Sequence, residues 1–392
     1  MIVTLPLNFN GSKARRWHVD MPLLLPVLAL ISIGFVMIGS ASFSFADHRL
    51  GDELFFVKRH MAYLILGAVA MMIGYFVRPA FWSTYARLWM VIAVVLLVLV
   101  LIPGIGRELN GSRRWLSFGG FTLQVSELAK VATVVFLAAY LEQHRETLGR
   151  NWSDFGKLMV VIGVLSILLI QEPDFGSVVV LGSTFMVLVF LGGAKLRQYL
   201  FIITVGMAVL WILKDSAPYR VARLTAYLDP WSDQFNSGYQ LTQSLIAFGR
   251  GEWFGVGLGQ SVQKMLYLPE AHTDFVFAIF AEEFGFLGVL CLVGLYCLMV
   301  SRIFSLSRKA IAVQSWYAAF VLIGFGLLIS GQTFINLGVN AGLLPTKGLT
   351  LPFVSYGGSS LIVCCAMIGM MLRFGHDLHE PQLDNRGSRY AG

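Results

Sequence analysis

The stretch NGSRRWLSFGGFTLQVSELAK, Asn110 to Lys130, contains side chains suited to binding phosphate. Arg113 and Arg114 are adjacent, and a guanidinium group can hold two phosphate oxygens at once. Trp115 follows them, and a tryptophan at a membrane interface can lie against a lipid or a sugar. These residues therefore predict the binding of a diphosphate.

Polar side chains continue from this stretch into a predicted membrane-spanning helix. Gln124, Glu127 and Lys130 are spaced at i, i+3 and i+6, which places them on one side of a helix. Two interpretations stay open, because Glu127 and Lys130 either face a binding site or neutralise each other inside a helix bundle.

A second stretch, LPEAHTDFVFAIFAEEFGF from Leu268 to Phe286, contains four carboxylates in an apolar setting. Thr273 can cap a helix whose first turn carries Asp274, where the helix dipole favours an acid. Asp274 is then either a functional group or only a helix-terminal acid. Glu282 and Glu283 lie ~12 Å further along the same helix. At that depth a charge must face the protein interior or the far interface, so these two acids serve another purpose.

Two further segments combine polar residues with turns. QEPDFGS, Gln171 to Ser177, is a short hairpin whose Glu172 and Asp174 could hold a divalent cation, although hairpin acids more often lie in water. GLLPTKGLTLPFVSYGGSS, Gly342 to Ser360, interrupts a helical pattern with prolines and glycines. Broken backbone at membrane depth is tolerated only inside protein or beside a water-filled cavity, so this segment is predicted to line a cavity.

The elements that position these residues are membrane helices. The chain has 392 residues, 57% of them hydrophobic and 13% charged, and its apolar runs approach the ~20 residues that span a bilayer. We predict an all-α integral membrane protein with ten transmembrane helices and both termini cytoplasmic. The predicted spans are 21–43, 57–77, 84–103, 122–141, 157–171, 175–192, 197–214, 274–301, 314–338 and 353–374.

The predicted membrane domain, residues 21–374, lies between a cytoplasmic N-terminal segment, 1–20, and a cytoplasmic tail, 375–392. Spans 7 and 8 are joined by a long outer loop, 215–273, and a loop of that length is usually functional. The excess of basic residues between spans on the inner side supports this orientation. The basic loop between spans 3 and 4 is an exception, which a bound diphosphate would explain.

The basic residues also bear on possible partners. The net charge of +7 comes from side chains between the spans, which form no nucleic-acid motif. We therefore expect anionic membrane lipid as a partner and no nucleic acid.

Four segments together resemble one family, the SEDS (shape, elongation, division and sporulation) proteins of bacteria. They are NGSRRWL with SELAK, EPDFGS, SVQKMLYLPEAHTDFVFAIFAEEFG and LPTKGLTLPFVSYGGSS, in the expected order over the whole membrane core. EAHTDF and TKGLTLPF are similar to the division-type branch of the family rather than to the elongation-type branch. Val125 departs from the pattern, since related sequences usually have proline before the SELAK-type motif. The departure concerns the helix entry and removes no reactive group.

The resemblance implies a peptidoglycan glycosyltransferase that polymerises lipid II and releases undecaprenyl diphosphate. Asp274 would be the general base that deprotonates the acceptor's 4-hydroxyl, which attacks the anomeric carbon of the donor. Arg114 and Lys130 would neutralise the leaving diphosphate, with Trp115 and Glu127 shaping the pocket. The other predicted substrate-binding residues are Arg113, Lys264, His272, Thr273, Ser355 and Ser359.

The resemblance also implies the surroundings of the enzyme. The expected location is the bacterial inner membrane at the division septum, with the active site facing the periplasm. The expected partners are lipid II, a class B penicillin-binding protein, since this sequence has no transpeptidase signature, and other division proteins. A divalent cation, Mg or Mn, is expected beside the diphosphate, with Glu172 and Asp174 as candidate ligands. No organic cofactor is expected.

Two other functions compete with this interpretation. A lipid II flippase would also need a polar path among ten spans, but its usual signs are inverted repeats and acids near the bilayer midplane. No repeat is visible in the sequence, and Asp274 is predicted at the outer end of its helix. A non-catalytic scaffold for division proteins would leave the buried polar groups without a role.

Overall fold

The computed structural model describes residues 18–109, 112–118, 121–213, 227, 229–236, 238–345 and 348–379. Several predicted features lie outside these residues. They are the N-terminal segment before His18, the tail after His379, the first part of the long outer loop, Asn110 and Gly111 of NGSRRWL, and Thr346 and Lys347 of TKGLTLPF.

Within the described residues the chain forms helices and one small sheet. The elements are α1 (Met21–Leu50), α2 (Phe55–Phe76), α3 (Pro79–Thr84), α4 (Ala86–Leu101), β1 (Gly106–Leu109), β2 (Ser112–Phe118), β3 (Phe121–Gln124), α5 (Val125–His144), α6 (Trp152–Gln171), α7 (Phe175–Leu191), α8 (Leu196–Leu213), α9 (Tyr239–Gly251), α10 (Val276–Ala312), α11 (Trp316–Asn340) and α12 (Gly358–His379).

Each of the ten predicted spans overlaps one of these helices. Six helices, α1, α2, α6, α10, α11 and α12, are long and apolar enough to cross a membrane, and α4, α7 and α8 are shorter apolar helices. α5 is the exception, because it carries three charged residues, Glu127, Lys130 and Glu142. The prediction of a helical membrane protein is therefore confirmed.

The sheet is a part of the fold that the helical pattern did not predict. β1, β2 and β3 form an antiparallel sheet with β2 in the centre. The prediction that the fourth span begins at residue 122 is wrong, because residues 121–124 pair with β2 and α5 begins at Val125. Gln124 therefore precedes the helix and does not share a helical face with Glu127 and Lys130.

α11 and α12 form the interior of the bundle. In their most apolar stretches 72% and 83% of the residues are buried, compared with 22–39% for the other four long helices. α11 packs against α5, α7 and α10, and α12 packs against α2. Polar side chains on α11 are therefore shielded from lipid by protein on several sides.

α10 is interrupted at Gly285, where the backbone leaves the helical region with φ 65° and ψ −167°. Only glycine adopts this conformation readily. Residues 252–257 lie against the break and exchange main-chain hydrogen bonds with both sides of it. The N–H groups of Val256 and Gly257 donate to the carbonyl oxygens of Glu282 and Glu283, respectively. On the other side of the break, the N–H groups of Phe286 and Leu287 donate to the carbonyl oxygens of Glu252 and Trp253. The break divides α10 into a first half, 276–284, and a second half, 286–312.

Candidate active site

A cavity of about 550 Å³ is enclosed by α2, the sheet, the segment before α10 and the segment that leads into α12. Its wall contains basic and acidic side chains. The basic ones are Arg59, Arg107 and Arg114, and the acidic ones are Glu127, Glu270 and Asp274. Such a mixture is suited to an anionic substrate and to proton transfer.

Asp274 is half-buried in the cavity wall and is held through its main chain. Its carbonyl oxygen accepts hydrogen bonds from the side-chain amides of Asn336 (2.9 Å) and Asn340 (3.0 Å) on α11. Gly348 faces the carboxylate, and a Cβ at that position would lie 3.0 Å from Asp274 Oδ2. Glycine at position 348 therefore leaves the carboxylate open to the cavity.

The surroundings of Asp274 change its acidity. Burial raises the pKa of this carboxyl to about 7, and the nearby charge of Glu270 acts in the same direction. The positive charge of Arg114 lowers the pKa, and the charge of Asp174 raises it. Asp274 is thus poised to accept and release a proton near neutral pH.

The prediction that Thr273 caps the helix is wrong. α10 begins at Val276 without a side-chain cap, because the preceding residues fold into a turn. In that turn the N–H groups of Thr273 and Phe275 donate to the carbonyl of Glu270 (3.1 and 3.2 Å). The Thr273 hydroxyl donates to the Glu270 carboxylate (2.7 Å). Thr273 and Asp274 therefore belong to a turn that lines the cavity, not to the first turn of the helix.

Arg114 extends from β2 to the hairpin between α6 and α7. Its guanidinium group donates to the carbonyl oxygens of Glu172 (Nε, 2.9 Å) and Pro173 (Nη2, 2.6 Å). Its Nη1 lies 4.0 Å from Asp174 Oδ1. The hairpin therefore fixes the orientation of a positive charge at the cavity wall.

The two acids of this hairpin are buried, so the expectation that they lie in water is wrong. Asp174 is 1% exposed and caps α7 by accepting from Ser177 N–H (3.2 Å). The hydroxyls of Ser126 and Ser177 donate to its other oxygen, both at 2.8 Å. Burial, assisted by the charge of Asp174, raises the pKa of Glu172 to about 9. Glu172 is thus neutral near pH 7.

Asp174 already accepts hydrogen bonds from hydroxyl and main-chain donors. Both carboxyl oxygens of Glu172 are buried and have no hydrogen-bond partner among the described residues. A divalent cation held by these two acids therefore stays a prediction. Across the described part of the chain, no group of three acidic, histidine or cysteine side chains could hold a metal ion.

Glu127 and Lys130 form a buried pair on α5. Lys130 Nζ donates to Glu127 Oε1 (2.8 Å) and to Gln332 Oε1 on α11 (2.9 Å). Gln332 in turn donates to the carbonyl of Thr350 (3.0 Å). Glu127 lines the main cavity, and Lys130 lies behind it, beside a second, water-sized cavity of about 10 Å³. The pair therefore links the cavity wall to the centre of the bundle.

Several other predicted substrate-binding residues also line the cavity. Trp115, Thr273 and Ser359 are part of its wall. The Ser359 hydroxyl oxygen accepts from the N–H of Gln124 (3.1 Å), which joins the start of α12 to the end of β3. The structure thus brings Trp115, Thr273 and Ser359 together with Arg114, Glu127 and Asp274.

Arg113 and Ser355 do not line the cavity. Arg113 forms an ion pair with Glu108 on the neighbouring strand (Nε–Oε2 2.9 Å), and the two side chains are 40% and 54% exposed. Ser355 is buried, and its hydroxyl oxygen accepts from the N–H of Leu351 (2.8 Å). Ser355 therefore stabilises the turn before α12.

His272 and Lys264 are also not part of the cavity wall. The His272 ring is buried between Phe56 and Tyr356, with ring centroids 4.5 and 5.8 Å apart. Lys264 is buried and donates to Glu283 (2.8 Å). Glu283 thus faces the protein interior, which is one of the two environments that its depth in the span left open.

The sequence analysis missed the side chains that support the site from α11. Gln332, Asn336 and Asn340 recur every fourth residue of an apolar helix. Residues four apart lie on one face of a helix, and polar groups in a membrane helix normally face protein. This spacing was a usable sign that the α11 face adjoins the site.

The sequence as a whole matches a known family. A profile of the FtsW/RodA/SpoVE family, described as "Cell cycle protein", matches residues 21–380. The chain therefore belongs to this family of cell cycle proteins. The resemblance to SEDS proteins inferred from the motifs is confirmed.

Curated relatives are named "Probable peptidoglycan glycosyltransferase FtsW". The protein of Thioalkalivibrio sulfidiphilus is 50% identical over 93% of this chain and 91% of its own length. The protein of Saccharophagus degradans is 45% identical over 98% of this chain and all of its own length. The high identity extends over the whole membrane domain and is not confined to the motifs.

Solved structures show the same fold. A structure described as "Structural coordination of polymerization and crosslinking by a peptidoglycan synthase complex" contains a chain 31% identical, with a TM-score of 0.78. The match covers 93% of this chain and 100% of that chain. The rod shape determining protein RodA of Thermus thermophilus is 30% identical, with a TM-score of 0.68, over 93% of this chain and 98% of its own.

Proposed function

We propose that this protein is a peptidoglycan glycosyltransferase that polymerises lipid II into glycan strands during septal cell-wall synthesis and releases undecaprenyl diphosphate. The observation that carries the proposal is the placement of Asp274, whose pKa is about 7, in a large cavity that Arg114 also lines. The name shared by the curated relatives supports the same activity, because they align with nearly the whole chain.

In the proposed reaction Asp274 acts as the general base. Its ionised carboxylate accepts the proton of the acceptor's 4-hydroxyl as that oxygen attacks the anomeric carbon of the donor. The glycosidic bond forms while the bond from that carbon to the diphosphate oxygen breaks, and the electron pair leaves with undecaprenyl diphosphate. The proton on Asp274 is then released to water before the next cycle.

Arg114 and Arg107 are the proposed ligands of the diphosphate, and Arg107 takes the place predicted for Lys130, which is buried behind the cavity wall. Arg114 is held by main-chain carbonyls of the hairpin, so its charge is oriented before the substrate arrives. A fixed charge needs no reorganisation when the negative charge of the leaving group develops. Trp115 offers a flat face to a sugar or lipid, and Glu127, paired with Lys130 behind it, forms part of the inner wall.

The proposed orientation places the cavity on the periplasmic side of the bacterial inner membrane. Ten helices would cross the membrane, both termini would lie in the cytoplasm, and the chain would act at the division septum. The distribution of basic residues between the spans supports this arrangement, because cytoplasmic loops carry more Lys and Arg.

Cysteine labelling tests this orientation. The two labelling sites, Ser117 on β2 and Arg308 near the end of α10, are exposed and are each replaced by cysteine. These cysteines are introduced after the exposed Cys291 and Cys297 are replaced by serine. A membrane-impermeant maleimide should label Ser117→Cys in intact spheroplasts and Arg308→Cys only after permeabilisation. The reverse pattern would show that the cavity faces the cytoplasm.

A class B penicillin-binding protein is the proposed crosslinking partner. The solved complex that coordinates polymerisation and crosslinking supports this assignment, because one of its chains shares the present fold. A divalent cation is proposed to accompany the substrate's diphosphate, and no ligands for it are assigned in this chain.

Chelation tests this part of the proposal. A chelator should stop polymerisation, and added Mg or Mn should restore it. Full activity in chelator would remove the cation from the proposal.

Polymerisation of purified lipid II tests the proposed activity. The protein with its partner should convert lipid II into glycan strands and release one undecaprenyl diphosphate for each bond formed. A flippase would instead move labelled lipid II across a liposome membrane without consuming it. Movement without glycan strands would contradict the proposal.

A further inference from the structure

Glu283, near the end of the first half of α10, is a buried carboxylate that the proposed reaction does not use. Its Oε1 accepts hydrogen bonds from Lys264 Nζ (2.8 Å) and Ser40 Oγ (2.6 Å). Lys264 Nζ also donates to Ser40 Oγ (2.8 Å). The side chains of Lys264 and Glu283 are 6% and 0% exposed. One carboxylate therefore joins α1, α10 and the segment 252–275.

Glu282 holds the same segment through different contacts. Its carboxylate accepts hydrogen bonds from the Ser261 hydroxyl and from the N–H groups of Val262 (3.1 Å) and Gln263 (3.3 Å). Arg250 Nη1 lies 3.3 Å from Glu282 Oε1. Together with the main-chain bonds of residues 252–257, these contacts fix the segment to the end of the first half of α10.

The location of these contacts bears directly on Asp274. The first half of α10 is joined to the second half through Gly285, where the helical hydrogen bonds are broken. Its position therefore depends on the packing of its buried side chains and on the contacts at its two ends. Asn336 and Asn340 hold the beginning through the Asp274 carbonyl. The contacts of Glu282 and Glu283 hold the other end.

We propose that Lys264, Ser40 and Glu283 form a lock that positions Asp274 for proton transfer. The lock fixes the first half of α10 and the segment that leads to Asp274, so the carboxylate stays at one place in the cavity wall. Lys264 is a positioning residue, since its amino group is bound inside the protein and does not line the cavity. This inference rests on the proposed role of Asp274 as the base.

Two variants separate positioning from simple charge neutralisation. Lys264→Met leaves the Glu283 carboxylate buried without its cation, which should lower the melting temperature. The double variant Lys264→Met with Glu283→Gln removes both charges, and its melting temperature should return toward the wild-type value. The bonds from Lys264 to Ser40 on α1 and to residue 283 on α10 are still absent, although the Glu282 contacts remain, so kcat should stay low while KM for lipid II is unchanged. Displacement of a reacting group by about 1 Å can lower the rate about a hundredfold.

A matched control and a readout independent of activity complete the experiment. Lys58→Met with Asp52→Asn removes an exposed ion pair, whose side chains are 64% and 42% exposed, and should change neither kcat nor the melting temperature. Amide hydrogen exchange of the double lock variant should be faster in residues 261–284 and unchanged in residues 286–312. The same regions should be unchanged in the control.

The outcomes distinguish this inference from the proposed function. Recovery of kcat together with the melting temperature in the double lock variant would overturn the positioning role, as would unchanged exchange in residues 261–284. If the wild-type protein makes no glycan strand, the proposed function fails instead. The exchange comparison then still decides whether the lock fixes the first half of α10.

Discussion

The carboxyl group of Asp274 differs from that of an ordinary aspartate because its surroundings raise its pKa. Burial, aided by the charge of Glu270, raises the pKa of its carboxyl to about 7. The carboxyl is therefore protonated in mildly acidic solution, and its basic form increases as the pH rises. A general base is most effective when its pKa lies near the working pH.

The pH dependence of polymerisation follows from this environment. We expect kcat/KM to rise with pH to a plateau, with a midpoint at about 7, because only the ionised carboxylate accepts a proton. Glu270→Gln removes one negative charge but keeps an oxygen for the Thr273 hydroxyl, so the midpoint should move to lower pH. Glu53→Gln, at an exposed acid, should leave it in place. An identical midpoint in Glu270→Gln and wild type would contradict this explanation of the acidity.

Residue type alone identified some of the side chains of the candidate site. Asp274, Arg114 and Trp115 were selected in this way or through the family resemblance, and the structure places all three at one cavity. The bond from Asn340 to the Asp274 carbonyl was missed, because the spacing of the α11 amides indicates which face they share but not which group they bind. Lys264 was assigned to the substrate because spacing cannot tell whether a loop lysine faces a cavity or the core.

At the level of elements, the break in α10 illustrates what a local pattern cannot predict. The apolar sequence continues through Gly285 without a change of period, so one continuous helix was expected. The break exists because residues 252–257, remote along the chain from this position, replace the missing main-chain hydrogen bonds. The sheet before α5 was missed for a similar reason, since β3 depends on pairing with β2.

Alanine substitution should show how strictly the break requires glycine. Gly285→Ala would place a Cβ 2.3 Å from Gly255 N and hold alanine at φ 65°, where side chains are strained. Backbone strain alone costs about 1–3 kcal/mol, and the contact adds to it. We expect a clear decrease in melting temperature. Gly294→Ala on the same helix is the control, because its Cβ would meet nothing within 4 Å. Equal melting temperatures for the two variants would show that residue 285 is not constrained.

At the scale of the whole molecule, the order of the membrane helices follows from the apolar runs, but their depth in the bundle does not. The apolar stretches of α6 and α11 have similar hydropathy, 2.0 and 1.9, yet 28% and 72% of their residues are buried. Lipid and protein satisfy an apolar helix surface about equally well, so composition cannot separate the two environments. The regularly spaced amides of α11 are the sequence feature that distinguishes it.

The central claim for the whole molecule is that glycan strands are formed in the cavity beside Asp274. Asp274→Asn tests it most directly, because asparagine has the same size and keeps the main-chain bonds with Asn336 and Asn340 but cannot act as the base. The measurement is the rate of lipid II polymerisation by the purified protein with its partner. We expect the rate to fall about 10²–10⁴-fold, the usual contribution of a general base, while lipid II binding and the melting temperature are retained. Polymerisation at the wild-type rate by the folded Asp274→Asn protein would contradict the claim.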